Sequence, residues 1–338
     1  MNKSFTIYGW GLAGATLSWE LHKRNVPFKV VYKVGNNSSR VAAGLVNPVV
    51  FKRLTKSWKA DDLLPFAKDF YEEKERLLNV TLLSHKPICR IFASIEEQNS
   101  WASLYGDDRF TKYISKVSEL GNKQIESPFH VGEVSSIGHL KVSLFLDESK
   151  KYLESKGCDF ILKEKHKETE DELSIYCEGS DVVSNPYFGY LPMKPTHGDT
   201  LTIRAKGLGL DKIVNKNMYM LPLGDDLYNI GSTYNWEMKT PTPTEEGKNE
   251  LLERLKAFTN FDFEIVKHEA GLRPTVSDRR PLLGQHPEKK NKYVFNGLGT
   301  KGVMIAPYFA NHLCEHLLKG EEIDKEVSIE RHLKHYNA

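Results

Sequence analysis

The hexapeptide Gly9-Trp10-Gly11-Leu12-Ala13-Gly14 constrains this chain more than any other feature. It follows Phe5 to Tyr8, which reads as a short buried strand, and precedes Ala15 to Arg24, which reads as a helix with Leu17 and Leu21 on one face. Asn25-Val26-Pro27 ends the helix, and Phe28 to Tyr32 reads as a second strand rich in β-branched and aromatic residues. Strand, glycine turn, helix and strand within about 30 residues make a βαβ unit, and hence a parallel sheet. Glycines at this spacing suit a pyrophosphate. The first makes the turn, the second lets phosphates approach the backbone, and the third lets helix pack on strand. The helix dipole and its N–H groups then face the anion. A merely structural glycine turn is the rival reading; the strand–turn–helix context favours a dinucleotide.

Such a unit usually carries an Asp or Glu about 20 residues on, for the ribose hydroxyls. Here residues 21 to 60 contain no acidic residue and nine basic ones: Lys23, Arg24, Lys29, Lys33, Arg40, Lys52, Arg53, Lys56 and Lys59. Against a formal net charge of +2 for all 338 residues, the other 298 therefore sum to −7. Tyr32 and Lys33 stand where the carboxylate is expected, followed by Gly35-Asn36-Asn37-Ser38-Ser39-Arg40. Lys33 and Arg40 would suit the 2′-phosphate of NADP. A solvated basic edge, with the ribose bound otherwise, is the alternative, and the window alone leaves both open.

With 40% hydrophobic and 27% charged residues, composition is that of a globular protein. Near-neutral total charge argues against nucleic acid or an anionic membrane as partner. Cys89, Cys158, Cys177 and Cys314 form no C-x-x-C pair, so buried thiols in a reducing compartment are expected rather than disulfides or zinc. His312 and His316 lie four apart without an H-E-x-x-H pattern, and no metal site is expected. No apolar run reaches the roughly 18–20 residues needed to span a bilayer, so the expectation is a soluble, cytoplasmic protein.

Farther on, Asp61 to Asn79 reads as a long amphipathic helix. Ile88 to Ala93 reads as a strand, Glu96 to Tyr105 as a helix, with another strand near Ile114. Val142 to Ser155 reads as a helix closed by Gly157. Asp159 to Leu162 and Leu173 to Cys177 read as strands, and the charged Lys163 to Glu172 between them as a solvated hairpin. Leu201 to Arg204, Met218 to Leu221 and Leu227 to Thr233 read as antiparallel strands, with Glu245 to Phe258 a helix upon them. Tyr293 to Asn296 is a strand, then a glycine-rich turn leads into a helix from Ile305 to Lys319.

Three further segments carry a resemblance. They are Ser38-Ser39-Arg40-Val41-Ala42-Ala43-Gly44-Leu45-Val46-Asn47-Pro48; Gly271-Leu272-Arg273-Pro274, with Pro281-Leu282-Leu283-Gly284; and Asn296-Gly297-Leu298-Gly299-Thr300-Lys301-Gly302 before Ala306-Pro307. With the first glycine motif they keep the order and approximate spacing of FAD-dependent oxidoreductases of the D-amino acid oxidase and glycine oxidase (DAO) type. The chain resembles that family over essentially its whole length, which moves the expected cofactor from NADP to FAD. Because no Cys or His stands in an attachment context, noncovalent FAD is expected.

The resemblance implies an α/β fold: a Rossmann-like FAD-binding domain interleaved with a smaller α+β substrate domain on an antiparallel sheet. The expected boundaries are 1–80, 131–190 and 268–338 for the FAD-binding domain, and 81–130 and 191–267 for the substrate domain. Expected cofactor contacts are Gly9, Gly11, Leu12, Ala13, Gly14, Tyr32, Lys33, Ser39, Arg40, Ala42, Ala43, Gly44, Asn47, Ile161, Glu178, Gly179, Arg273, Gly297, Leu298, Gly299, Thr300, Lys301 and Gly302. Glu178 is an unusual occupant of the small-residue-plus-glycine turn that ends its strand.

The implied reaction is hydride transfer from a C–H beside an amine nitrogen to flavin N5, giving an imine that water hydrolyses, with oxygen as acceptor. The substrate would be a small amine or amino acid. Alternatives are a quinone or carrier-protein acceptor, a tRNA amine as substrate, or an NADP-dependent dehydrogenase. Arg273 is expected to hold a substrate carboxylate, against a merely packed arginine. Lys301, at a helix start, is a candidate to stabilise reduced flavin, against a side chain that points to water. Tyr219, Thr233 and Tyr234 are candidate pocket residues on or beside the substrate sheet, against plain core positions; His197 is a weaker candidate of that kind.

Overall fold

The computed structural model describes residues 4–35, 38–135 and 138–336; Asn36 and Asn37 of the expected turn lie outside them. The βαβ unit forms as β1 (Phe5–Tyr8), α1 (Leu12–Lys23) and β2 (Phe28–Tyr32). α1 starts at Leu12, inside the glycine motif. Gly14 permits this: a Cβ there would lie 2.0 Å from the Gly9 carbonyl oxygen, so only glycine lets the first helical turn lie against the strand end.

Next come α2 (Ala60–Leu78), β3 (Ile88–Ile91), β4 (Val131–Val134), α3 (Val142–Ser155), β5 (Asp159–Leu162) and β6 (Leu173–Tyr176). A run of strands follows: β7 (Thr196–Arg204), β8 (Ile213–Asn215), β9 (Tyr219–Gly224) and β10 (Leu227–Gly231). The chain continues through α4 (Glu245–Lys256), β11 (Glu264–Arg273), β12 (Leu282–Gln285), β13 (Lys292–Asn296) and α5 (Gly302–Lys319).

One sheet has the order β5-β2-β1-β6-β13-β12, parallel except for β12. β1 is buried along its length because a parallel strand flanks it on each side. α1 packs on α5 and α3, and α5 on α2, covering one face. The other sheet has the order β11-β7-β10-β9-β8-β3-β4, with α4 against β7. Leu251, Leu255 and Phe258 meet Leu201, Ile203 and Met220 there in a separate core.

Several expectations need correction. β5 and β6 are no hairpin: β2 and β1 stand between them, so residues 163–172 cross a face of the parallel sheet. Their charges are used in that crossing. Glu172 accepts from Thr6 Oγ1 at 2.6 Å and from Tyr8 OH at 2.8 Å, and pairs with Lys29 Nζ at 2.6 Å. Glu168 accepts from Ser174 Oγ at 3.0 Å and from Lys292 Nζ at 2.8 Å. The expected boundaries also shift. Val131–Val134 pairs with β3 in the seven-stranded sheet, and β11 runs unbroken through position 268. Near Ile114 there is an isolated bridge to Val134 rather than a strand.

α5 begins at Gly302, although Pro307 lies inside it. Proline leaves the carbonyl four residues back without its helical partner. That carbonyl, Val303 O, instead accepts from the buried Tyr71 hydroxyl at 3.0 Å.

Candidate functional site

A cleft of about 520 Å³ is lined by Gly9–Ala13 from the β1–α1 turn, Ser38, Ser39 and Val41–Leu45 from the second segment, and Leu298–Thr300 before α5. Ser39 Oγ accepts from Leu12 N at 3.1 Å and Ser38 Oγ donates to Leu272 O at 2.7 Å, so the second segment is tied both to α1 and to β11. The N-terminal ends of α1 and α5 both open here, through Leu12 and Gly302. Two positive helix ends and walls of small residues and backbone fit an elongated dinucleotide with a central diphosphate.

Of the expected contacts, Gly9, Gly11, Leu12, Ala13, Tyr32, Lys33, Ser39, Ala42, Ala43, Gly44, Glu178, Gly179, Arg273, Leu298, Gly299, Thr300 and Gly302 line this cleft, as does Tyr219. Others do not. Gly14 holds helix to strand, and Gly297 is occupied by packing, since a Cβ would meet Val276 Cγ2 at 2.6 Å. Arg40 pairs with Asp147 at 2.5 Å, and Ile161 packs on the cluster of Tyr8, Val31 and Tyr176. Asn47 Oδ1 accepts from Val49 N at 2.8 Å, which closes its own turn.

The Lys301 side chain does not point to water. Its Nζ donates to Asn47 O at 2.8 Å and to Ser57 Oγ at 2.7 Å, which ties the last flavin-type turn to the 47–57 segment. Burial pulls its pKa down from 10.5 to about 8.

Nor does the basic window act as a unit. Lys23 pairs with Glu73, Arg24 with Glu20 and Glu315, Lys29 with Glu172, Lys33 with Asp181, Arg40 with Asp147, Lys56 with Asp61, and Lys59 with Asp324. Of the nine, Lys33 reaches the cleft. The carboxylates missing after β2 arrive from the turn after β6. Glu178, paired with Lys163 at 2.8 Å, and Asp181, paired with Lys33, line the cleft beside Tyr32. A search confined to the end of β2 misses Asp181, because sheet order and not sequence distance puts β6 beside β1.

Arg273 ends β11 inside the cleft. Its Nη1 donates to His197 O at 3.1 Å and its Nη2 to Ser232 Oγ at 2.5 Å and Thr233 O at 3.1 Å. Tyr234 stacks on the guanidinium at 4.3 Å. A Cβ at Gly198 would lie 2.0 Å from Nη2, so that glycine makes the notch the guanidinium occupies. Among the described residues no carboxylate lies within ion-pair distance of it, and burial lowers its pKa from the ordinary arginine value. Tyr219 OH donates to Asn229 Oδ1 at 2.8 Å, and burial raises its pKa. Thr233 touches Arg273 through its carbonyl and does not line the cleft. Ser232, Tyr234, Thr200 and Lys239 also line it. Of these, Tyr234 is expected from its place beside the substrate-sheet strands, whereas nothing in the sequence context of Ser232, Thr200 and Lys239 singles them out.

A family model described as DAO, FAD dependent oxidoreductase, matches residues 4–316. The chain belongs to the DAO family. It is therefore an FAD-dependent oxidoreductase. The tRNA 5-methylaminomethyl-2-thiouridine biosynthesis bifunctional protein MnmC of Leptospira interrogans is 23% identical over 98% of this chain and 60% of its own length. This DAO chain thus spans 60% of the length of that relative. Glycine oxidase of Bacillus subtilis is 23% identical over 44% of this chain and 42% of its own. Among solved structures, glycine oxidase from Geobacillus kaustophilus gives a TM-score of 0.79 at 18% identity, covering 95% and 96% of the two chains. Iminodiacetate oxidase from Chelativorans sp. BNC1 gives 0.78 at 18%, covering 97% and 98%. These likenesses carry the fold. Among the described residues no helix is long and apolar enough to cross a membrane.

Proposed function

We propose that this enzyme oxidises the C–N bond of a small amine that carries a carboxylate, with oxygen as electron acceptor. The observation that carries the reading is Arg273: a buried guanidinium in the cleft wall whose hydrogen-bond partners are neutral oxygens. A buried charge with no carboxylate in direct contact is costly, and a substrate carboxylate supplies that contact. Planar guanidinium geometry lets both oxygens bond at once. Noncovalent FAD, when bound, accepts the hydride from the carbon beside the amine nitrogen. The chain's part is then to bind and orient: Arg273 fixes the carboxylate, Tyr234 and Tyr219 wall the site, and the ends of α1 and α5 hold the diphosphate.

Glu178 and Asp181 are the acceptors for the ribose hydroxyls, standing in for the acid absent after β2. Replacing both by their amides should raise the FAD Kd of deflavinated protein about tenfold, read by flavin fluorescence. The function is tested by mixing the anaerobic enzyme with a panel of amino acids and N-substituted glycines. Flavin bleaching by carboxylate-bearing amines, followed by peroxide formation on admitting air, is expected. Bleaching only by amines without a carboxylate, or by none, overturns the reading. Reoxidation by a quinone but not by oxygen would move the acceptor and leave the rest.

A second reading, an amine carried on RNA, is favoured by an adjoining cleft of about 970 Å³. Lys194, Lys239 and Trp236 line it together with the ion pairs Lys33–Asp181 and Lys163–Glu178, and Trp236 is 52% exposed. Cations beside an open aromatic face suit a stacked base and its phosphates. The similarity to MnmC over 98% of the chain points the same way. Salt-sensitive tRNA binding that weakens in Trp236→Ala would support it.

A further inference from the structure

β7 turns Gly198 and Thr200 toward the cleft, so Asp199 between them faces the other way, 1% exposed. Its carboxylate is held from several sides. Oδ1 accepts from Thr244 N at 2.9 Å and lies 2.9 Å from His268 Nε2. Oδ2 accepts from Thr233 Oγ1 at 3.2 Å and Thr244 Oγ1 at 3.1 Å, with His197 Nδ1 at 3.6 Å. Its backbone joins the same contact: Asp199 N donates to Thr233 Oγ1 at 2.8 Å, and Asp199 O accepts from Thr233 N at 3.3 Å.

Three elements therefore converge on one carboxylate. Thr244 caps α4, His268 belongs to β11, and Thr233 sits in the arm after β10. That arm is zipped to β7 by reciprocal backbone bonds between His197 and Asn235, at 2.9 and 3.0 Å. It also supplies most of what holds Arg273: Ser232 Oγ, Thr233 O and the Tyr234 ring.

We propose that Asp199 is a positioning residue for Arg273: by pinning Thr233 it fixes the arm that aims the guanidinium at a substrate carboxylate. This rests on the carboxylate reading of Arg273. A carboxylate suits this place because Oδ2 accepts from two hydroxyls that already accept from Asp199 N and Gly247 N; an amide NH₂ there would leave both hydroxyl protons without that acceptor.

The test is binding to FAD-loaded protein, read by flavin absorbance, with benzoate and the uncharged benzamide as probes. Asp199→Asn and Thr233→Val should each raise the benzoate Kd about tenfold and leave benzamide unchanged, while Thr233→Ser, which keeps the hydroxyl, retains wild-type affinity. Should Asp199→Asn fail to fold, the Thr233 pair decides alone. Weak benzoate binding in Arg273→Lys, with wild-type binding in folded Asp199→Asn or in Thr233→Val, overturns this proposal but not the Arg273 reading. A wild type blind to benzoate, or an unaffected Arg273→Lys, overturns both.

Discussion

Arg273 combines burial, neutral hydrogen-bond partners and an aromatic lid, so in the proposed role its hold on a carboxylate would depend on geometry as much as on charge. Lysine keeps the charge and loses the fork. Arg273→Lys should therefore weaken carboxylate substrates by about 1.5–3 kcal/mol, roughly ten- to hundredfold in KM, with FAD affinity unchanged. Gly198→Ala should do the same from behind, because its Cβ would lie 2.0 Å from Nη2; steady-state kinetics and flavin titration check both. Lys301 gives a pH signature. Its folded pKa of about 8 lies below its ordinary 10.5, so between these values the unfolded chain binds more protons and stability rises with pH. The slope is at most about 1.4 kcal/mol per unit and should vanish in Lys301→Met, measured by urea unfolding at fixed FAD.

At the scale of elements, the crossing between β5 and β6 shows what a charge run can conceal. Residues 163–172 read as solvated because Lys and Glu crowd them. In the fold those charges meet polar side chains standing on the parallel sheet: Thr6, Tyr8, Lys29, Ser174 and the buried Lys292. Glu168→Ala leaves the Lys292 ammonium without its carboxylate, and should cost about 3 kcal/mol of stability in urea unfolding. Changing both, Lys292→Met with Glu168→Leu, should return much of that loss. β1, α1 and β2 were legible because a local period and a glycine motif coincide. β11 was not, because its first half is exposed and its buried residues cluster at the far end, leaving no alternation. The start of α5 was hidden by Pro307, since only the distant Tyr71 hydroxyl makes that proline tolerable.

For the molecule as a whole, the basic window and the acidic remainder are partners rather than separate surfaces. Ion pairs tie residues 23–59 to α2, α3, α5 and the crossing segment. Acid should undo part of this. Burial alone would raise the Glu172 carboxyl, but bonds from Lys29, Thr6, Tyr8 and His166 outweigh it and hold the pKa at about 2. A depressed carboxylate stabilises above its ordinary value of 4.5, and that contribution is lost as pH falls from about 4.5 toward 2. Thermal melts across that range should show the loss in wild type and a shallower one in Glu172→Gln. The sequence by itself determined the nucleotide-binding βαβ unit, the order of the cofactor segments and the arginine that ends the Gly-x-Arg-Pro strand. Each segment, taken singly, rests on neighbours within a few residues, where spacing dictates conformation. Only the tertiary structure decided which carboxylates line the cleft beside Tyr32, which carboxylates the basic residues meet, and which oxygens hold Arg273. Those contacts join residues up to 291 positions apart, as in Arg24–Glu315, and strand order and helix packing alone bring them within reach.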